Sequence, residues 1–467
     1  MEGINAAIVE TGAISVSRLR SVVDGAVIGP GDATYDQART VFYGGIDLRP
    51  AAIVRAAHAR DVAAVVRFAR ETGSPLAVRS GGHSPAGHGV CEGGIVLDMG
   101  AMRAIGIDGS SRMAWAEPGL TAGEYVLETS RVGLTTGFGD TGSVGIGGIT
   151  LAGGVGYLVR RYGLAIDNLL AADVVTADGT LLHVDARDHP DLFWALRGGG
   201  GNFGVVTRLW FRLEELDGIF GGMLLLPATA EVIANFVAEA EAAPEEVSAI
   251  ANIMPAPPLP FVPAEHHGRL VLMASMVSAG SGEGGERVAA RLRSLGQPIA
   301  DLLRPMRYVE MFPRDEGGYH PMAVSRTMFV DRIGVEDARK IVDRLRASDA
   351  ALRVAQLRVL GGAMARVPID ATAFAHRRSR IMVNLAAFYD GVEERAVRQA
   401  WLEEFAGAIR QQDSGAYVGF LGDEGAQRIR DAYPGPTGER LARVKARYDP
   451  GNLFRINQNI EPSASAG

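Results

Sequence analysis

A single cysteine, Cys91, stands among 467 residues. One thiol excludes an internal disulfide framework and any metal site built on several cysteines. No Lys/Arg block or basic stripe interrupts a chain of net charge −7. Nucleic acid is therefore not an expected partner, because gripping a phosphate backbone needs clustered cations. No apolar run reaches the roughly 18 residues that a membrane span requires, so no membrane partner is expected. Met1–Val16 shows no basic segment followed by an apolar core, so no secretory leader is expected and cytoplasmic residence is the default. No internal repeat is visible.

What the chain does have is glycine. There are 60, well above a typical share of roughly 7%, and they are clustered rather than periodic. That pattern excludes collagen and means tight turns or backbone approaching something closely. Hydrophobic residues make up 47% and charged residues 22%, a globular balance with material for large cores. The length suits two or three domains at roughly 150 residues each.

Residues 50–213 alternate short apolar runs with helical patterns. Strands are expected near Ala51–Ala56, Pro75–Val78, Ile95–Met99, Met113–Glu117, Ala172–Thr176 and Val205–Leu213. Helices are expected over Asp61–Glu71, where Val62, Val65, Val66 and Ala69 share one face, and over Ala122–Arg131. From residue 214 to about 415 the glycine clusters thin out. Extended segments (Arg269–Val277, Ala323–Val330, Arg353–Leu360, Ile381–Phe388) alternate there with long amphipathic helices (Ala230–Ala243, Gly285–Leu295, Val335–Ala347, Glu393–Gln411). This predicts an antiparallel sheet flanked by helices. The tail returns to turns around a helix at Thr437–Ala446. The expected division is 1–213, with 416–467 returning to it, and 214–415. The fold class is α+β.

Three glycine-rich loops carry the chemistry: Val78–Gly89, Gly137–Gly156 and Arg197–Gly204. Such runs present successive backbone N–H groups without Cβ obstruction and can cradle a diphosphate. The spacing G-x-G-x-x-G occurs at Gly137–Gly142 and Gly199–Gly204. Neither has the strand-before, helix-after context of a nicotinamide site. Glycines serving only tight turns remain the alternative for any one loop, less so for three in one domain.

Taken together, the residues Arg79-Ser80-Gly81-Gly82-His83, the run Val144–Gly156, the stretch Asp191–Thr207 and the tail Tyr448-Asp449-Pro450 through Asn457-Gln458-Asn459 resemble the berberine-bridge-enzyme-like branch of the vanillyl-alcohol-oxidase / p-cresol-methylhydroxylase superfamily. The resemblance runs from about residue 35 to 461. It implies an FAD-binding domain of the p-cresol-methylhydroxylase type, made from the N-terminal half plus the tail, and a middle substrate domain. It implies FAD bonded covalently to His83, the histidine of R-S-G-G-H. Many relatives add a second bond through a cysteine, but that position here is Thr141, so one bond is expected, with Cys91 read as a half-buried thiol. The implied cofactor contacts are Arg79, Ser80, Gly81, Gly82, His83 and Ser84; Val144, Gly145, Gly147, Gly148, Gly153, Gly154 and Tyr157; Gly204, Val205 and Val206; and Asn457. No metal is expected.

The activity implied is oxidation of a small alcohol, amine or sugar-like molecule by hydride transfer to flavin N5, followed by reoxidation by O2. A dehydrogenase using another acceptor and a flavin-binding protein without turnover are the alternatives. In the family's Tyr-x-Asn motif, Tyr417 matches and Gly419 replaces the asparagine. Tyr417 is the candidate base or flavin anchor, although a phenol with an ordinary pKa near 10 needs tuning to act as a base. His376-Arg377 is read as structural before functional, and His266-His267 as surface.

Overall fold

A computed structural model describes residues 14–280, 282–312 and 318–464. Three large sheets and a two-stranded ribbon carry its architecture. In the first sheet, Ala52–Arg55, Ile95–Asp98 and Leu76–Arg79 run parallel, with Ile95–Asp98 in the middle, and Ala26–Ile28 adds antiparallel at one edge. These runs are short and mostly buried, as parallel strands are. The crossover helix is Ala59–Thr72. Its Val62, Val65, Val66 and Ala69 are buried, each valine contributing roughly 1.5–3 kcal/mol on leaving water. Gly73 stops the helix in the left-handed region at φ +64°. Strand Leu76–Arg79 then delivers the chain into the loop that begins at Ser80.

The second sheet is antiparallel, in the order Ile105–Asp108, Met113–Ala116, Val205–Arg212, Leu169–Val175, Leu181–Asp185. Helix Ala122–Ser130 starts from a capping box between Thr121 and Glu124. Inside the second glycine-rich run lies a helix that its composition hides, Ile146–Ala152, with Ile146, Thr150 and Leu151 buried. Packing overrides the poor helix propensity of its paired glycines.

The third sheet has eight strands, all drawn from residues 219–389. The four expected extended segments are strands with bounds moved by a residue or two. Two more, Ile219–Pro227 and Val247–Pro255, are buried along most of their length and so lack the alternation that marks a strand in sequence. Helices Ala230–Ala242, Glu283–Arg293, Val335–Ala347 and Arg395–Ile409 cover one face, where Ala251, Leu357, Val383 and Met328 join a large apolar core. The opposite face belongs to the alternate residues.

The tail folds back on the N-terminal half. Helix Pro436–Tyr448 contributes Leu441 and Val444 to the core around Trp194 and Phe203. Lys445 is fully buried. Its ammonium meets Asp449 at 2.6 Å and donates to the carbonyls of Asn202 and Phe454. The Asp449 carboxylate accepts the amides of Leu453 and Phe454. This buried pair pins the tail to the third glycine-rich loop.

Candidate functional site

A groove runs between the first two sheets. Ser80 and His88 from the first glycine-rich loop, Gly147 and Gly148 from the second, Gly204–Val206 after the third, and Asn457 from the tail all line it. The loops meet backbone to backbone. A Cβ on Gly81 would lie 2.3 Å from Gly145 N, and one on Gly145 would lie 2.3 Å from Gly81 N. Glycine at both positions is therefore required by contact, not by a turn. A Cβ on Gly148 or Gly201 would meet nothing within 4 Å, so the backbone there faces open groove. Asn457 donates to the carbonyls of Gly201 and Phe454, and its buried Oδ1 has no partner among the described residues. A backbone-lined trough with an unspent buried acceptor suits a dinucleotide.

His83 sits on the same loop. Phe42 stacks on its imidazole, with ring centroids 4.1 Å apart and planes at 21°, and the Phe42 amide donates to the Gly82 carbonyl. Gly82 holds φ +70°. Beneath the loop, the Arg79 guanidinium is spent on Asp98 at 2.9 Å and on the carbonyls of Ala38 and Thr40. The Arg79 side chain thus braces the loop from behind and does not line the groove. His88 is held to a pKa of about 4 by burial, with Asp423 opposing weakly.

A second cluster lies where residues 417–420 approach the third sheet. Tyr417 is buried, and its Oη accepts from Gly154 N at 3.2 Å. Gly153 and Gly154 hold φ +127° and +78°, which only glycine adopts easily. Burial raises the Tyr417 pKa; the amides of Gly154 and Val155 and the charge of Arg358 pull the other way. Arg358 pairs with Asp140 at 2.7 Å, donates to Gln356 Oε1 and lies over the Phe420 ring. In register across four adjacent strands stand Asn252, Gln356, Asn384 and Thr327, on the face opposite the helices. Gln356 donates to Asn252 Oδ1 at 2.9 Å, whereas the buried Asn384 Oδ1 and Thr327 Oγ1 lack partners among the described residues.

Other candidates lie elsewhere. Tyr157 is buried against Phe312 and beside Ser275 of the third sheet, not in the groove. Gly153 and Gly154 serve the Tyr417 cluster. Arg377 is fully buried in a two-pronged pair with Asp167, and His376 stacks on Phe329, so both hold structure. His267 is exposed and bonds the Val262 carbonyl through its ring. Cys91 is buried, its pKa pushed up to about 11 by burial. Thr141 is exposed. Sequence reasoning missed Asp140, Arg358 and the polar row. Gln356 and Arg358 did carry a signal: two polar residues at strand spacing inside an apolar run.

Comparison with known proteins adds the following. A family model described as "FAD binding domain" matches residues 50–185, and one described as "Berberine and berberine like" matches 416–461. The chain is 32% identical to (R)-6-hydroxynicotine oxidase of Paenarthrobacter nicotinovorans over 95% of its own length and 98% of that protein's. It is 27% identical to a xylooligosaccharide oxidase of Thermothelomyces thermophilus over 90% of its length and 86% of that protein's. The crystal structure of 6-hydroxy-D-nicotine oxidase from Arthrobacter nicotinovorans superposes with a TM-score of 0.83 at 28% identity, covering 94% of this chain and 98% of that one. Among the described residues no helix is long and apolar enough to cross a membrane.

Proposed function

The chain belongs to the berberine-bridge-enzyme-like FAD-linked oxidoreductases, of p-cresol-methylhydroxylase-type fold, and from that premise we propose that it is an oxidase carrying FAD through one covalent bond to His83. The observation that carries this reading is the company His83 keeps. Its loop supplies Ser80 and His88 to the groove and touches the second glycine-rich run at Gly145. The one-bond reading rests on Thr141, which offers no sulfur, and on Cys91, which is buried with a thiol held protonated.

The residues fit the cofactor. Amides along Gly81–Ser84 and those of Gly147 and Gly148 would hold the diphosphate, Val205 and Val206 the apolar adenine side, and Asn457 Oδ1 would accept from the cofactor. Residues 1–213 with 416–467 would form the cofactor domain and 214–415 the substrate domain. Bound FAD would supply the electron acceptor for a carbon bearing OH or NH, and O2 would be the final oxidant. Tyr417 would anchor the ring or handle the substrate's proton. With its pKa raised, it holds its own proton at neutral pH and serves first as a hydrogen-bond donor. The polar row favours a small uncharged substrate. Its members are neutral, and Arg358 and Asp140 cancel one another.

Acid precipitation of purified protein tests the bond: a yellow pellet is expected, and a colourless pellet under a yellow supernatant would sink covalent attachment. A panel of alcohols, amines and small sugars, added without oxygen, should contain a compound that bleaches the flavin. Return of colour in air marks an oxidase; no return marks a dehydrogenase; no bleaching at all marks a protein without turnover.

A further inference from the structure

Gly419 stands where the family has asparagine, and the structure shows what occupies the vacated space. A Cβ at position 419 would lie 2.8 Å from Cε1, 2.8 Å from Cζ and 2.9 Å from Oη of Tyr417. Real Cβ atoms do not come so close to other heavy atoms. The hydroxyl end of the Tyr417 ring therefore lies across Gly419, in the volume any side chain there would begin to fill.

The ring has little room to retreat. Phe420 sits edge-on at 5.2 Å and Phe374 tilted at 6.2 Å. On the far side, a Cβ on Gly153 would stand in ordinary contact with Tyr417 Cε2 at 3.5 Å and crowd Phe374 Cδ2 at 3.0 Å. The ring is buried in a cluster with Val155, Phe329, Leu360, Met364 and Met382. Displacing it would also cost the bond from the Gly154 amide and leave that amide unpaired in an apolar setting.

We propose that Gly419 is a positioning residue for Tyr417: its missing side chain admits the phenol to the backbone amide of Gly154. The phenol oxygen accepts from that amide, so the proton it has to offer is its own. It follows that restoring the family's asparagine, the change that resemblance alone would call a repair, damages the site. The inference rests on the reading that Tyr417 serves the flavin site, but its steric part can be tested without flavin.

The test is a double-substitution cycle on the full chain with Y417F, G419A and the pair, read by thermal midpoint. Each single substitution should lower the midpoint, and the pair should fall no lower than the worse single, because G419A already takes the phenol from that amide. A wild-type midpoint for G419A, or losses that simply add, would overturn the proposal. If G419A does not fold, Y417A provides the control. With the ring removed, adding G419A should cost no further stability; a further loss would also overturn the proposal.

On holoprotein a second readout follows the Tyr417 proton. An alkaline step in the flavin spectrum should be present in the wild type, absent in Y417F and moved to lower pH in G419A, as the phenol leaves its buried position. An unmoved step in G419A would count against the proposal. Colourless wild-type protein would defeat the flavin reading, while the midpoints would still decide the steric one.

Discussion

The cofactor groove and the open face of the third sheet use the same polypeptide in opposite ways. The groove is built around glycine-rich backbone. Gly81 and Gly145 sit where a Cβ would strike another main chain, Gly148 and Gly201 present open backbone, and the buried side chains of Arg79 and Lys445 brace the loops from behind. The sheet face is made of side chains on regular strands, with Asn252, Gln356, Asn384 and Thr327 in one row. Where two main chains meet, as at Gly81 and Gly145, almost no substitution is tolerated, because each partner is backbone and cannot move alone. A side-chain row on a rigid sheet can change one member at a time, which is what a family with a shared cofactor and varied substrates needs.

Substitutions should expose that contrast, beginning with the most severe. His83→Ala is expected to abolish covalent flavin outright, with colour moving to the supernatant after acid precipitation, while Cys91→Ala and Thr141→Ala keep a yellow pellet. Gly145→Ala should leave little bound flavin of any kind, measured as visible absorbance per protein; normal loading would break the backbone half of the comparison. Lys445→Met strands the buried Asp449 carboxylate and should cost about 3–5 kcal/mol, seen in a denaturation midpoint.

His88 gives a milder, pH-dependent effect. Its pKa falls from an ordinary 6.5 to about 4, so the unfolded chain binds the extra proton first. Its contribution to stability is therefore complete above about pH 6.5 and lost as pH falls toward 4, amounting to about 3 kcal/mol in the apoprotein. His88→Asn should flatten that part of the stability profile, and an unchanged slope would remove His88 as its cause. Smallest of all, Asn384→Leu should raise KM for an oxidised substrate by less than about tenfold, roughly 1 kcal/mol, with flavin content untouched. Loss of flavin in Asn384→Leu would blur the division between the two regions.

The same contrast explains what was legible in sequence. The glycine-rich loops announce themselves locally, whereas His83 and Asn457 were legible only through the family resemblance. Helix Ala59–Thr72 and strand Val205–Arg212 showed their periods. Strand Val247–Pro255 did not, because burial on both faces erases alternation. Helix Ile146–Ala152 did not, because tertiary packing supplies what its glycines lack. Of the polar row only Gln356 left a local trace; the row itself exists only once four strands far apart in the chain are set in register. Arg79 taught a further lesson. An arginine opening a glycine-rich loop suggests an anion, yet its guanidinium is taken by the buried Asp98, a partner 19 residues away.

The buried Lys445–Asp449 pair also imposes an order in time. One wall of the groove, including Asn457, follows this pair in the chain. A ribosome making the protein from its N-terminus will have released all three glycine-rich loops long before that wall exists. During synthesis the groove therefore stays open on one side, and stable uptake of a dinucleotide has to wait until residues 445–460 have emerged and docked. Maturation of the holoprotein is thus timed by residues 445–460, although the residue that would form the bond, His83, lies far ahead of them in the chain.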